Sequence, residues 1–312
     1  MENRRSALLA LLACGFMSCL APSMTRVAQG ADAAMVNGKV ITTDDVENAF
    51  KRTSVSKKSV SEEQGKMYRR HVLQLLVDDT LLQQYLDAHK VTVADAEVTE
   101  HIEKLRAQLK GQGRSLDDFL KANGIDEQKM QEDIRNVHRW LAFVDKQATP
   151  ETLKKYYQDN PSAFDGSEVR ASHILVKTEF GADEAAKKEA KKKIEAVRVQ
   201  LAGGTAFADA ARKHSDCPSK DVGGDLNYFP RKGVMTEPFA AAAFRLSNGQ
   251  ISEIVETEFG YHLILVTDRK PGKTVPFEEV AGEVKAFYAE DLRAAVLKKM
   301  RANSQITYVQ DQ

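Results

Sequence analysis

The chain has 312 residues, of which 42% are hydrophobic and 29% are charged, a composition typical of folded globular proteins rather than of disordered segments. Its 45 basic residues balance its 45 acidic residues, so bulk charge gives no reason to expect a nucleic acid or an anionic membrane as partner. A chain of this length is sufficient for about two domains.

Residues 1–30 predict a secretory signal. Arg4 and Arg5 precede an apolar run from Ala7 to about Leu20, and this run is shorter than a membrane-spanning helix requires. The sequence VAQGAD predicts cleavage just before Ala31, and ADAA offers a second cleavage site. We therefore expect an exported mature protein that begins near Ala31.

A lipid-anchored form is the alternative, because LLAC places a small residue before Cys14, as a lipid-attachment signal would. The sequence stays apolar beyond Cys14, which favours the soluble exported form, and membrane association is expected only if Cys14 is lipidated. Cleavage before Ala31 also removes Cys14 and Cys19 and leaves Cys217 alone. A single cysteine cannot form an internal disulfide.

Residues 31–165 predict a mostly helical unit that begins with a short strand and a turn at Asn37-Gly38. Thr42 or Thr43 is expected to cap the first helix. Apolar residues near i, i+3 and i+4 spacing then predict three helices, and Pro150 behind Thr149 predicts a fourth that ends at the Asn160-Pro161 pair. The three helices are expected over Glu62–His89, Ala94–Lys110 and Glu127–Lys146.

The end of the chain predicts a long amphipathic helix over Phe277–Ala302, followed by the strand-like segment QITYV. Such a helix needs a partner for its apolar stripe, so we expect residues 272–312 to pack back on the unit formed by residues 31–165. Residues 166–271 would then form a self-contained body inserted in this mostly α-helical domain.

Two strand-like segments of the inserted body each carry a central histidine. In VRASHILVK, period-two alternation places His173 on one face, and in TEFGYHLILVTD it places His262 on one face. If the strands are neighbours, the two imidazoles can meet. The alternative is a pair of histidines that only stabilises the fold, since a histidine on a half-buried strand is usually satisfied by a neighbour.

The inserted body contains, in order, the motifs ASHILV, HSDCPS, GGDLNYF, VMTEPFAAAAF, LSNGQIS and TEFGYHLI. Together they closely resemble the parvulin family of peptidyl-prolyl cis/trans isomerases. The signal, the segment VNGKVIT with its helical unit and the closing helix further resemble exported bacterial foldases of the SurA and PrsA kind. The resemblance implies an α+β fold, with a four-stranded antiparallel sheet surrounded by helices and a proline pocket on the sheet face.

The resemblance also implies roles for individual residues. The paired histidines of the family fall on His173 and His262, and its polar active-site position falls on Cys217. One departure is Phe259, which stands where several relatives carry a small hydroxyl residue. The implied proline pocket comprises Leu226, Met235 and Phe239 with Phe229 at its edge, and Asp216 and Thr257 match polar positions behind the site.

The implied function is isomerisation of X-Pro bonds in secreted or envelope proteins by an exported, periplasmic foldase that needs no cofactor or metal. Its partners would be unfolded or partly folded exported polypeptides that contain proline. The alternative is a non-enzymatic periplasmic chaperone that binds unfolded chains through its helical domain. Covalent attack by Cys217 is a further alternative, which is disfavoured because rotation breaks no bond, and no local ligand spacing supports a metal site.

Overall fold

The computed structural model describes residues 31–53, 56, 61–178, 182 and 184–309. The predicted signal, with Cys14 and Cys19, lies outside the described residues. Within the described ranges, no helix combines the length and the apolarity that are needed to cross a membrane.

The first two strands, β1 (Asp32–Val36) and β2 (Lys39–Thr42), form an antiparallel hairpin. Its turn has Asn37 at φ 49° and Gly38 at φ 85°, the left-handed conformations that an Asn-Gly turn adopts readily. The last strand, β7 (Ile306–Tyr308), pairs antiparallel with the free edge of β1, which gives the order β2-β1-β7. The two strand-like ends of the chain are therefore partners of each other.

In the described chain, six α-helices lie between the hairpin and the inserted body, and the caps that the sequence predicts for the first and the sixth are present. The Thr42 hydroxyl accepts the Asp45 N–H at the first helix, and Thr149 accepts the Thr152 N–H ahead of Pro150 at the sixth. The helices are α1 (Thr43–Lys51), α2 (Glu62–Ala88), α3 (Asp95–Gly111), α4 (Leu116–Asn123), α5 (Glu127–Gln147) and α6 (Pro150–Asp159).

The short helix α4 was not predicted, because glycine-containing segments on both sides of it indicate loops. Ser115 caps its first turn by accepting the Asp118 N–H, and Gly124 ends it at φ 60°. Leu116 and Leu120 are buried against α3 and α5 residues. Two apolar side chains one turn apart are sufficient to hold an eight-residue helix, although they are too few to reveal it by periodicity.

The closing helix, α10 (Phe277–Asn303), lies along α2 and α6. Its buried Val296 packs in a cluster with Leu82 and Leu86 of α2. Leu297 and Met300 join this cluster and also the core between the hairpin, α1 and α2. The amphipathic stripe of α10 thus finds its partner in the helices that precede the inserted body.

The inserted body has a four-stranded antiparallel sheet, in the order β4-β3-β6-β5, with helices on both faces. This confirms the predicted α+β class and the predicted sheet. One face packs under α7 (Glu184–Ala202) and α8 (Phe207–His214), and the other packs under α9 (Glu237–Arg245). The strands are β3 (Glu168–Lys177), β4 (Asp225–Pro230), β5 (Val255–Thr257) and β6 (Gly260–Lys270).

Two glycines allow the backbone to approach β3 closely. Gly224 has φ 86°, and a Cβ there would collide with the carbonyl oxygen of His173. Gly260 has φ 130°, and a Cβ there would collide with the carbonyl oxygen of Val176. Any other residue would be strained in both places, so these glycines permit the segment before β4 and the start of β6 to lie directly against β3.

Candidate active site

The two histidine-bearing strands are direct neighbours. In the β3–β6 register, His173 lies opposite Ile264 and His262 lies opposite Leu175, so the histidines are diagonal neighbours on one face. Their Nδ1 atoms are 3.2 Å apart, and their rings are stacked with centroids 5.4 Å apart and an interplanar angle of 22°. The alternation read from the sequence therefore brings the imidazoles together.

Thr257 links this pair to the turn between β5 and β6. Its Oγ1 is 2.8 Å from His262 Nε2, and it accepts the Phe259 N–H at 3.1 Å. His262 Nε2 shares one hydrogen bond with the Thr257 hydroxyl, and the two imidazoles share another through their Nδ1 atoms. Whichever ring carries the hydrogen between the Nδ1 atoms, the tautomer of one neutral ring fixes that of the other.

Both imidazoles are buried, with His173 5% exposed and His262 4% exposed. Burial disfavours the charged form and lowers the pKa of His173 to about 4. Burial and the adjacent His173 lower the pKa of His262 to about 4 as well. Both rings are consequently neutral at physiological pH, and one proton lies between the two Nδ1 atoms. Within the described chain, His173 Nε2 is buried and has no hydrogen-bond partner.

Phe239 stands edge-on to both imidazoles. Its ring centroid lies 5.6 Å from that of His173 and 5.4 Å from that of His262, with interplanar angles of 80° and 79°. Leu226 and Met235 pack against the same apolar cluster and remain half-buried. These two side chains, with Phe239 beneath them, form a partly open apolar surface beside a neutral histidine pair.

Phe229 takes a deeper position than the sequence suggests. It is only 1% exposed, and its ring contacts those of Phe239 and Phe244 at centroid distances of 6.0 and 6.4 Å. The sequence pattern predicts an aromatic residue on a half-buried strand, but it does not predict how deeply that side chain is buried. In the structure Phe229 supports Phe239 from the core.

The segment that contains Asp216 and Cys217 runs beside β3 and bonds to its backbone. The Asp216 N–H donates to the Leu175 carbonyl at 2.8 Å, and the Asp216 carboxylate accepts the Lys177 N–H at 2.9 Å. Asp216 therefore fixes the end of the strand, and its carboxylate is not directed to the imidazoles. Ser215, which was not singled out in the sequence although it lies within HSDCPS, is buried and accepts the Leu175 N–H at 3.1 Å.

Cys217 is a half-buried free thiol at the start of a short 3-10 helix, Pro218–Val222. Its backbone N–H donates to the Ser215 hydroxyl, and no hydrogen bond among the described residues joins its sulfur to either imidazole. In the part of the chain that the structure describes, no group of three His, Cys, Asp or Glu residues is arranged to hold a metal ion. Ser215 and Asp216 thus anchor this loop to the backbone of β3.

Comparison with known proteins gives matches along most of the chain. Residues 173–268 match the PPIC-type PPIASE domain of the rotamase family, and residues 4–139 match the SurA-like N-terminal domain. The chain is 31% identical to the foldase protein PrsA of Caldanaerobacter subterraneus subsp. tengcongensis over 96% of its own length and 92% of that protein.

Two further relatives come from Bacillus species. The chain is 35% identical to the foldase protein PrsA 1 of Bacillus cereus over 56% of its own length and 57% of that protein. The crystal structure of the peptidylprolyl isomerase PrsA of Bacillus anthracis is 29% identical and is matched over 77% of this chain and 99% of that one, with a TM-score of 0.43. The chain belongs to the PrsA foldase family and carries a parvulin-type peptidyl-prolyl cis/trans isomerase domain.

Proposed function

We propose that the chain is an exported foldase whose isomerase domain catalyses cis/trans isomerisation of X-Pro bonds in client polypeptides without a covalent intermediate. The observation that carries this proposal is the neutral His173–His262 pair, which lies against Phe239 next to the half-buried Leu226 and Met235. Family membership supports the reaction class, and the geometry supports the assignment of these residues to the site.

The apolar surface would accelerate rotation by binding the twisted amide better than the planar one. Rotation about a peptide bond has a barrier of roughly 18–20 kcal/mol because twisting removes amide resonance. The twisted form loses charge separation, so it is better accommodated than the planar form in a dry apolar pocket. Met235, Phe239 and Leu226 are proposed to hold the proline ring.

The histidines and Cys217 would set the polarity around the substrate carbonyl. Because both imidazoles are neutral, they introduce no charge that would favour the polar planar amide. Thr257 is proposed to keep the pair in one tautomer through His262 Nε2. Cys217 is proposed as a polar neighbour of the pocket and not as a nucleophile, since rotation requires no bond cleavage.

A second activity, chaperone binding of unfolded segments, is favoured by exposed apolar side chains on the helical unit. Val137 and Leu141 lie one turn apart on α5 and are 54% and 52% exposed, and Leu75 of α2 is 48% exposed. Exposed apolar residues at i and i+4 form an apolar stripe to which an unfolded chain can bind. We propose that this stripe contributes to client binding independently of the isomerase site.

The enzymatic proposal is tested by isomerisation of a short X-Pro peptide by the mature protein. A Met235→Ala/Phe239→Ala variant whose fold is verified by circular dichroism should lose most of the acceleration. Phe143→Ala removes another buried phenylalanine, from the helical unit, and should retain the acceleration. Absence of acceleration by the wild-type protein would refute the enzymatic proposal.

The chaperone proposal is tested by suppression of aggregation of a proline-free unfolded client. Val137→Ser/Leu141→Ser should weaken suppression and leave peptide isomerisation intact. Val199→Ser is the matched control, because Val199 is 71% exposed on α7 of the isomerase domain. Equal loss of suppression in both variants would show that the α5 stripe has no special role.

Export is tested by the mass of the protein recovered from the cell. A mature chain that begins near Ala31 would support cleavage of the signal. Incorporation of labelled fatty acid that is lost in Cys14→Ala would support the lipid-anchored alternative instead.

A further inference from the structure

The loop between β4 and α9 carries a buried lysine that reaches the helical unit. The side chain of Lys232 is only 6% exposed, and its Nζ lies 2.6 Å from Asp291 Oδ1 on α10. The same Nζ lies 2.8 Å from Glu237 Oε2 at the start of α9. A buried ammonium group is tolerated only when it is paired, so this loop is held at α10 by a contact that is costly to break.

The acceptor on α10 is itself fixed by a second helix. Asp291 Oδ2 accepts the hydroxyl hydrogen of Tyr156 on α6 at 2.5 Å. Burial and the hydrogen bond to Asp291 raise the pKa of Tyr156 above its ordinary value. The Phe287 ring of α10 lies 5.9 Å from the Lys232 ammonium, within range of a cation–π interaction. Tyr156 of α6 and Asp291 and Phe287 of α10 thus form a preorganised binding site, the socket, for the Lys232 ammonium group.

The loop in this socket also carries part of the proposed proline pocket. Met235 follows Lys232 by three residues, and Glu237 begins the helix that carries Phe239. Arg231 donates two hydrogen bonds to Glu237, at 2.8 and 2.5 Å. Burial alone would raise the pKa of Glu237, but the hydrogen bonds from Arg231 and Lys232 outweigh it and lower the pKa. Glu237 therefore stays ionised and pairs with both Arg231 and Lys232.

We propose that Lys232 and Asp291 are positioning residues for the isomerase pocket: the helical unit holds the Met235 loop in its binding geometry through this ion pair. The inference rests on the proposed function, because it assigns Met235 to substrate binding. Neither Lys232 nor Asp291 touches the substrate in this proposal. They act through the backbone between Lys232 and Glu237, so the pocket is completed by a helix that lies outside the isomerase domain.

The test uses Asp291→Asn in the full mature chain, with Lys285→Gln as the matched control. Lys285 also forms an ion pair from α10, but its partner, 2.7 Å away, is Asp145 of α5 in the helical unit. We expect Asp291→Asn to raise KM for a short X-Pro peptide about tenfold with a smaller change in kcat, because displacement of a binding group weakens substrate positioning. Lys285→Gln should change neither constant.

A second readout does not depend on activity. The methyl resonances of 13C-labelled methionines are compared between the variants, and Met235 is assigned with Met235→Leu. The Met235 signal should shift or broaden in Asp291→Asn and stay unchanged in Lys285→Gln. If Asp291→Asn does not fold, Lys232→Gln breaks the same pair from the other side and should give the same two effects.

The outcomes separate this proposal from the proposed function. A folded Asp291→Asn or Lys232→Gln variant with wild-type KM and an unchanged Met235 signal would overturn the positioning role. A wild-type protein without isomerase activity would overturn the proposed function, and the methyl spectrum would still decide whether the ion pair positions Met235.

Discussion

The molecule contains two histidine pairs that make similar contacts in different surroundings. His101 Nδ1 lies 3.0 Å from His138 Nε2 between α3 and α5, and His173 Nδ1 lies 3.2 Å from His262 Nδ1 between two strands. The first pair is near solvent, and its rings meet at 77°, whereas the second is buried and its rings are nearly parallel at 22°.

The partners of the two pairs differ as much as their exposure. His138 Nδ1 lies 3.8 Å from a Glu97 carboxylate oxygen, so a charged ring there would have an anion beside it and water around it. The buried pair has the neutral partners Thr257 and Phe239 instead. The contact between the imidazoles is therefore similar in the two pairs, and it is their surroundings that differ. Burial among uncharged groups is what keeps His173 and His262 neutral.

The largest expected effect is a loss of stability in acid that originates from the buried pair. The folded-state pKa values of about 4 lie below the ordinary value of 6.5, so the folded protein binds these protons more weakly than the unfolded chain. The contribution of the neutral histidine pair to the free energy of unfolding is complete above pH 6.5 and is lost as the pH falls from 6.5 to 4. It amounts to several kcal/mol, at about 1.4 kcal/mol per pKa unit.

The measurement is the free energy of unfolding in denaturant between pH 4 and pH 8. A His173→Leu/His262→Leu variant should lose less stability than wild type between pH 6.5 and pH 4, whereas carboxylate titrations affect both proteins equally. Parallel pH profiles for the two proteins would show that the buried pair is not held neutral by the fold.

A double-mutant cycle on the buried pair should give the next largest effect. His173→Leu or His262→Leu alone leaves one buried imidazole nitrogen without its partner, which costs roughly 1–3 kcal/mol of unfolding free energy. The double variant should cost less than the sum of the two by about 1 kcal/mol, because it leaves no orphaned nitrogen between the rings. Strict additivity would contradict a direct bond between the rings.

Removal of the Thr257 hydroxyl should have a smaller effect on stability and a specific effect on the site. Thr257→Val deletes the group that bonds both His262 Nε2 and the Phe259 N–H, and should cost about 1–2 kcal/mol of unfolding free energy. The 15N chemical shifts of both rings should change, because the tautomer is no longer fixed. Thr257→Ser keeps the hydroxyl and should preserve the wild-type shifts, and equal spectra in all three proteins would show that Thr257 does not fix the tautomer of the pair.

The smallest effect is expected at the exposed pair. His101→Gln/His138→Gln should change the free energy of unfolding by about 0.5 kcal/mol or less, as is usual for surface substitutions. Peptide isomerisation should stay at the wild-type rate, since these helices carry none of the proposed pocket residues. A marked loss of isomerisation would assign the α3–α5 pair a role in the enzyme and remove the contrast between the two sites.

The sequence was most informative where a pattern repeats. Period-two alternation places His173 and His262 on one face, and the structure has them there because the two strands are neighbours and share that face. The bounds of α6 were predictable from single residues, because Thr149 caps the helix ahead of Pro150 and the Asn160-Pro161 pair ends it. The four-stranded sheet followed from the ordered motifs of the inserted body and their resemblance to parvulins, and could not have been obtained from periodicity alone.

Features without a repeat were not predictable. The direction of the Asp216 carboxylate depends on the dihedral angles of one loop, and the depth of Phe229 depends on which helix covers its face. The contact between Lys232 and Asp291 joins residues that are far apart in sequence. From the sequence alone, each of them would be predicted to be an ordinary charged residue on the surface. Such contacts depend on how the elements assemble, which local sequence does not encode.

The pairing of β7 with β1 has a consequence for the order in which the protein forms during its own synthesis. The strand Asp32–Val36 precedes the isomerase domain in the chain, and its partner Ile306–Tyr308 follows it. The isomerase domain is continuous in sequence and lies between these two strands, so it has all of its strands before the surrounding domain does. The strands of the isomerase domain are therefore available for pairing before β7 is made, and the sheet β2-β1-β7 of the surrounding domain closes only after the whole isomerase domain has been synthesised.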